Sequence, residues 1–424
     1  MRITKELNER LTRVGPDTDM GEVFRRYWIP ACLSDEVRDP DGAPVRVRLL
    51  GEDLVAFRDS AGAVGLVDAY CAHRRAPLFF GRNEECGLRC VYHGWKFDTL
   101  GNCVDMPSEP PFSKFRLRVA IKAYPVYEAG GIIWTYLGPQ QRTPEPPDYE
   151  WLRAPATHVR VSKTGEQCNF LQAVEGGIDT VHSSFAHNND LSNSRLLRSR
   201  DTHPKLEVGE RDYGFTYASL RNVSDDLTYL RVYQFILPSQ QSRGNLIDVE
   251  GNPAQLPSIN GHIWVPIDDE NTFVYNWMYS ADERYPISDE YWAEHESQMG
   301  RGPEHYVPGS YWLKLSPAND FNIDREMQRT QTFTGIEGIN TQDFAIQTGM
   351  GRIVHREEEA LGSTDLAIRT ARKQLLEAVD AVTAGEDPRG ADPETHNRVR
   401  GADLLVPRGS DWRDASKDVT VAVW

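Results

Sequence analysis

Two short segments of this chain can hold a metal. They are Cys71-Ala72-His73 and, with sixteen residues between, Cys90-Val91-Tyr92-His93. Each offers one thiolate and one neutral imidazole. A [2Fe–2S] cluster with two cysteines on one iron and two histidines on the other asks for that distribution, and the histidines raise its reduction potential. Two cysteines and two histidines also suit tetrahedral zinc. Zinc fingers, however, place the cysteines in one half of the motif and the histidines in the other, whereas each half here is mixed. The nearby thiols Cys86 and Cys103 read as small buried apolar residues rather than ligands.

A second set lies in NFLQAVEGGIDTVHSSFAH, residues 169–187. Asp179 stands three residues before His182, so the two share a helical face. His187 follows His182 by five, a rotation of about 140° on a straight helix. Such a pair cannot grip one metal from a regular helix, so His187 is expected at a distorted or terminal turn. The HExxH spacing of zinc proteases is absent. Two histidines with a distant carboxylate and open positions form the facial triad of non-haem Fe(II) oxygenases. Taken alone, the pair also fits one packed and one solvated histidine.

These groups need a frame. Val45, Val47 and Leu49 alternate with Arg46 and Arg48, which predicts a half-buried strand. Turn signals at 59–62, 81–83 and 100–102 separate further short strands up to 132–136, a pattern that describes a small antiparallel β domain. The proline-rich stretch GPQQRTPEPPDYEW, residues 138–151, marks a boundary. Beyond it, 169–187 reads as helical, with strand candidates at 214–220, 227–237, 262–267 and 273–278. Near the end, Ser363 or Thr364 can cap a helix with the apolar stripe Ile368, Ala371, Leu375, Val379 and Val382, and Gly385 is placed to stop it. The expected fold is α+β: a lead-in at 1–40, a β domain with the cluster motif at 41–145, and an α+β domain at 146–424.

The formal net charge of −16 argues against nucleic acid or a membrane surface as a partner. Six scattered cysteines do not make a disulfide scaffold, and the charged N-terminus has no apolar core of a signal peptide. No stretch approaches the ~18–20 apolar residues that span a bilayer. A cytoplasmic, reducing setting is therefore expected. An anionic ligand would need local arginines. The 227–237 strand places Tyr229, Arg231, Tyr233 and Phe235 on one face, where Arg231 can bind a carboxylate or stack on the rings. Arg211 and Arg221 are similar candidates.

The segments CAHRRAPL and CVYHGWKFD resemble the Rieske motif C-x-H…C-x-x-H. Respiratory Rieske proteins carry one more cysteine in each loop. Ala76 and Tyr92 stand there, so the resemblance is to the aromatic-oxygenase type. Arg75 departs from the family, which usually has glycine after the arginine. It is expected to perturb the loop or a partner surface more than the ligation. Together with the cluster motif, D-x-x-H-x-x-x-x-H at 179–187 resembles the catalytic domain of Rieske non-haem iron oxygenases, whose sheet is of the helix-grip type. EGINTQDFAIQTGMG resembles the phthalate-dioxygenase branch.

The resemblance implies that Cys71, His73, Cys90 and His93 bind a [2Fe–2S] cluster and that His182 and His187 ligate a mononuclear iron. It matches Asp179 to the family's bridging aspartate, which links a cluster histidine of one subunit to an iron-ligating histidine of its neighbour. For the carboxylate ligand it points to Asp343, with Asp324 and Asp320 as alternatives. If Asn340 caps the helix, Asp343 stands at its third position, where an acid is favoured with no metal at all. Glu175, one turn before Asp179, is expected to orient the site.

The implied activity is that of the terminal oxygenase component of an NAD(P)H-dependent system that uses O2 to oxygenate a carboxylated aromatic. Some members of the branch instead remove O-methyl groups from lignin-derived acids. No Walker or GxGxxG motif is evident, so the reductase is expected on another polypeptide, and a homotrimer is implied. A Rieske electron carrier would leave residues 151–424 unexplained, and a zinc-stabilised binding module would be colourless.

Overall fold

The computed structural model describes residues 3–424, so Met1 and Arg2 of the expected lead-in lie outside it. Val45–Leu49 is a strand that buries Val47 and Leu49 and exposes both arginines. It edges a four-stranded antiparallel sheet with Glu52–Arg58, Val64–Asp68 and Ala123–Tyr124. A second sheet of very short strands, Arg82–Asn83, Leu88–Arg89, Lys96–Phe97 and Cys103–Asp105, forms the tip that carries the Cys/His motif. Tip and sheet enclose a small core of Val55, Phe57, Val67, Leu78, Leu88 and Phe97, which also holds Cys71 and Cys90.

A third sheet pairs Trp28–Leu33 with Ile132–Tyr136, and Ile132–Tyr136 with Val126–Ala129. The lead-in thus contributes a strand. Pro30 sits in that strand where the register shifts, a position that tolerates a residue without an N–H.

The larger part is an eight-stranded antiparallel sheet, and with its helices it makes the fold α+β as expected. Its main path runs Val159–Glu166, Asn271–Ser280, Pro253–Asp268, Gln240–Ile247, Leu227–Ile236, Gly214–Asn222 and Lys205–Arg211. Ala402–Pro407 pairs with the first half of Leu227–Ile236. The helix Leu366–Thr383 buries Ile368, Ala371, Leu375 and Val379 and ends before Gly385, whose φ is +80°. One continuous core joins Val47, Leu49 and Trp134 to Phe170, Val174, Trp264 and Leu375, so the two parts share their interior.

Two helices differ from expectation. The segment 169–187 is not one helix. Asn169 caps Phe170–Ile178, Asp179 turns to an extended conformation, and a single 3₁₀ turn, His182–Ser184, follows. The other helix is Ile339–Gly349, and it starts two residues earlier than a cap at Asn340 requires. Gly338 takes the cap position at φ +85°, which leaves Asp343 fifth in the helix, beyond the reach of an N-terminal cap. The helix Phe170–Ile178 lies against both the sheet and the helix Ile339–Gly349. A Cβ on Gly177 would overlap the Trp264 ring, and one on Gly176 would overlap the Gln347 side chain. Glu175 on the same helix pairs with Arg356 at 3.0 Å and with Arg372 at 2.6 Å, which fastens it to the C-terminal helix.

Gly177→Ala should gain about 1 kcal/mol of helix propensity and lose about 1–3 kcal/mol to overpacking. The expected outcome is a lower Tm and a shifted loop at Asp179. Gly349→Ala has open space around its Cβ and should be neutral or slightly stabilising in the same melting experiment.

Candidate metal centres

Two loops of like construction form the tip. Cys71 N–H donates to Ala76 C=O and Arg75 N–H to Cys71 C=O; Cys90 N–H donates to Trp95 C=O and Gly94 N–H to Cys90 C=O, all at 2.8–2.9 Å. Each loop therefore buries its cysteine and swings its histidine outward. The two Nδ1 atoms, of His73 and His93, face each other at 3.1 Å. Trp95 stacks on His73 with centroids 4.5 Å apart. Gly94 has φ +79°, and a Cβ there would meet the Pro107 ring. Arg75 holds φ +57°, a conformation that glycine adopts freely, and is steadied by a 2.9 Å ion pair to Asp68. Burial, with Cys90 close by, pushes the Cys71 thiol up to about 11, so a metal entering this site must displace a proton. Two inner sulfurs and two converging outer nitrogens suit a [2Fe–2S] cluster. Cys103 is buried, but Cys86 is exposed in a tight turn at φ +57°, contrary to expectation. Its turn links two-residue strands with no apolar pattern around it.

In the larger domain His182, His187 and Asp343 converge. His182 Nε2 is 3.1 Å from His187 Nε2, and Asp343 Oδ1 lies 3.5 and 3.3 Å from the two nitrogens. A cation bound at about 2.1 Å by three donors at right angles would separate them by about 3.0 Å. The triangle therefore fits one facially bound metal ion. Burial would raise the Asp343 carboxyl, but His187 and His182 hold it below its ordinary value. Asp324 caps the helix Arg325–Thr330 and Asp320 sits in a left-handed turn, so neither joins the pair. Glu175 is engaged by its two arginines and does not touch the histidines.

The histidine protons are set by neighbours. Gln342 Nε2 donates to Asn189 Oδ1 at 2.7 Å and to Ile336 C=O at 2.8 Å. Its Oε1 must therefore accept from His187 Nδ1, at 2.8 Å, which leaves the Nε2 lone pair aimed at the metal position. Asp179 accepts from the backbone of Val181 and His182 and lies 3.4 Å from His182 Nδ1. Burial would raise the Asp179 carboxyl, but His182 and these amides hold it low. Gln342 and Asn189 escaped the sequence reading because their role exists only across the fold.

A cavity of about 250 Å³ opens on the triad, walled by Arg198, Arg231, Tyr233, Arg243, His262 and Trp264 among others. Arg231 also lies over the Tyr233 ring at 5.1 Å. Burial and crowding by Arg231 and Arg198 push the Arg243 guanidinium down to about 10, so it stays charged at neutral pH. Asp343 offsets Arg243 only in part and Asp403 acts on Arg231 from outside the wall, and none of the wall arginines forms an ion pair among the described residues. Asp179 and Asp343 face the histidines, and burial pushes Glu166 up to about 8. Arg221 is buried elsewhere and donates to Thr180 C=O and Ser219 Oγ, bracing the loop after Asp179. Arg211 is exposed on the edge strand and does not reach the cavity. A larger open cleft, about 1120 Å³ between 142–148 and 387–397, contains none of these groups.

Two protein families match the chain: "Rieske [2Fe-2S] domain" over residues 27–125 and "LigXa C-terminal domain like" over 135–422. The phthalate 4,5-dioxygenase oxygenase subunit of Pseudomonas putida is 39% identical over 97% of this chain and 94% of its own length. The 5,5'-dehydrodivanillate O-demethylase oxygenase subunit of a Sphingobium species is 33% identical over 94% and 86%. Dicamba monooxygenase bound to dicamba shares the fold, with a TM-score of 0.63 at 19% identity over 85% of this chain and 98% of that one.

Gln342→Leu should leave the visible spectrum of the cluster intact and weaken iron binding at the triad by about 10–100-fold, as loss of an outer hydrogen-bond partner usually does. Asp343→Ala should abolish that binding. Iron content after dialysis against graded chelator measures both.

Proposed function

The chain belongs to the Rieske-type oxygenases, as an oxygenase component with a Rieske [2Fe–2S] domain, and from that premise we propose that it oxygenates a carboxylated aromatic, in the manner of ring hydroxylation of a phthalate-like acid. The observation that carries this reading is the positive wall of the cavity. Arg198, Arg231 and Arg243 face a space of about 250 Å³, the size of one substituted ring, and none of the three forms an ion pair with a carboxylate among the described residues. Charge left uncompensated in a partly buried site is costly, and an anionic ligand removes that cost.

Cys71, His73, Cys90 and His93 would hold the [2Fe–2S] cluster, and His182, His187 and Asp343 a mononuclear iron. Bound together, the two centres supply single electrons and the reduction of O2. The protein's own part is placement. The arginines bind the carboxylate and so fix the ring over the triad. Trp264 and Phe344 wall off water, Gln342 holds His187 in its ligating tautomer, and Asp179 takes the Nδ1 proton side of His182. In this reading Asp179 also meets a cluster histidine of a neighbouring subunit in a homotrimer. A separate NAD(P)H-dependent reductase supplies electrons in the cytoplasm. No described helix is long and apolar enough to cross a membrane.

The direct test supplies a surrogate reductase, NADH and O2 with phthalates and methoxylated aromatic acids, then weighs the products. Gain of two hydroxyls indicates ring dihydroxylation; loss of CH2 with release of formaldehyde indicates the demethylation named for the Sphingobium relative. Arg243→Gln and Arg231→Gln should each weaken binding of an acid about tenfold or more and leave its neutral ester unaffected. Equal loss for acid and ester would refute the carboxylate anchor. Asp179→Asn is nearly isosteric but uncharged. It should retain both iron populations while reoxidation of the reduced cluster by O2 with substrate slows by orders of magnitude, read by rapid mixing.

A further inference from the structure

His262 belongs to neither candidate metal set, and it faces the same cavity. It is 6% exposed, on the strand Pro253–Asp268, two residues beyond Asn260, which pairs across the sheet with Arg243. His262 and Arg243 are therefore diagonal neighbours on one face, about 7–8 Å apart along the sheet. Its Nδ1 lies 2.9 Å from Asn276 Oδ1. The amide of Asn276 is itself oriented, because its Nδ2 reaches Val274 C=O at 3.4 Å and Ser162 Oγ at 3.3 Å, and a carbonyl can only accept. Asn276 thus offers oxygen to the ring, and Nδ1 carries the proton. The lone pair is left on Nε2, which has no hydrogen-bond partner among the described residues. Burial, then Arg243 and Arg301 nearby, hold the imidazole far below its ordinary value, so it remains neutral.

Resting on the aromatic-acid reading above, we propose that His262 is a specificity-determining residue whose Nε2 accepts a hydrogen bond from a hydroxyl or N–H on the substrate ring while the arginines hold the carboxylate. The geometry selects by polarity. A hydroxyl completes the orphaned acceptor. A methoxy group has no hydrogen to give, and neither has an ionised carboxylate, whose oxygens are acceptors like Nε2 itself. A site built around an unpaired buried acceptor discriminates more strongly than one that merely fits a shape.

The test titrates the iron(II)-loaded enzyme anaerobically by calorimetry with benzoate, its three hydroxy isomers and the corresponding methoxy isomers. At least one hydroxybenzoate should bind about tenfold or more tightly than its methyl ether. His262→Phe, similar in size, should lower that ratio about tenfold. Asn276→Ala, which frees the ring to carry its proton on Nε2, should lower it as well and serves if the first variant does not fold. A ratio near one in the unaltered enzyme, or one that both variants leave unchanged, overturns the proposal. If the acids still bind and lose affinity in Arg243→Gln, the aromatic-acid reading survives that failure. If no acid binds, both fall.

Discussion

The two histidines of the candidate metal site and its carboxylate come from segments far apart in the chain, and two close approaches along one helix bring them together. The helix Phe170–Ile178 has no side chain at Gly176 where Gln347 crosses it, and none at Gly177 where Trp264 of the sheet comes near. With both contacts closed to backbone distance, the loop after Asp179 reaches the helix that presents Gln342 and Asp343. The hydrogen bonds from Asn189 and Ile336 through Gln342 to His187 then have a direction at every link. The glycines set the distance and the amide sets the proton.

The electrostatics divide the molecule. The formal net charge of the chain is −16, yet the cavity is lined by three arginines that have no ion-pair partner among the described residues. That contrast favours an anion inside over one anywhere outside. It also separates two kinds of arginine. Arg356 and Arg372 are buried with Glu175 and hold helices together, whereas Arg198 and Arg243 face open space.

What could be read from the sequence follows from distance along the chain. The Cys/His loops are legible because all four groups lie within 23 residues and each loop closes on itself. The strand at Val45 and the C-terminal helix are legible because their apolar periods face one core. The segment 169–187 reads as one helix because its apolar pattern continues past Asp179, but that side chain accepts from the amides of Val181 and His182 and so ends the helix. Asp343 was reached through resemblance, not local pattern. Arg243 lies in QQSRGNLI, a strand with no apolar alternation, and His262 and Gln342 acquire their meaning only from partners on other strands and helices. Arg211 and Arg221 had the right chemistry in the wrong places.

The Cys/His loops rest on a small core that the tip shares with one face of the first β-sheet, while the other face of that sheet belongs to the large core. Local opening costs less where fewer apolar contacts are buried. The lead-in, the first β-sheet and the large sheet should therefore open and close as one unit, with the tip as a separate and less costly one. In the metal-free chain, amides around Cys71 and Cys90 would exchange with solvent through this smaller opening, while those of the helix Phe170–Ile178 wait for the whole molecule to unfold. A cluster held by both loops would tie them together and close this smaller opening, so its loading would be read as slower exchange at the tip alone.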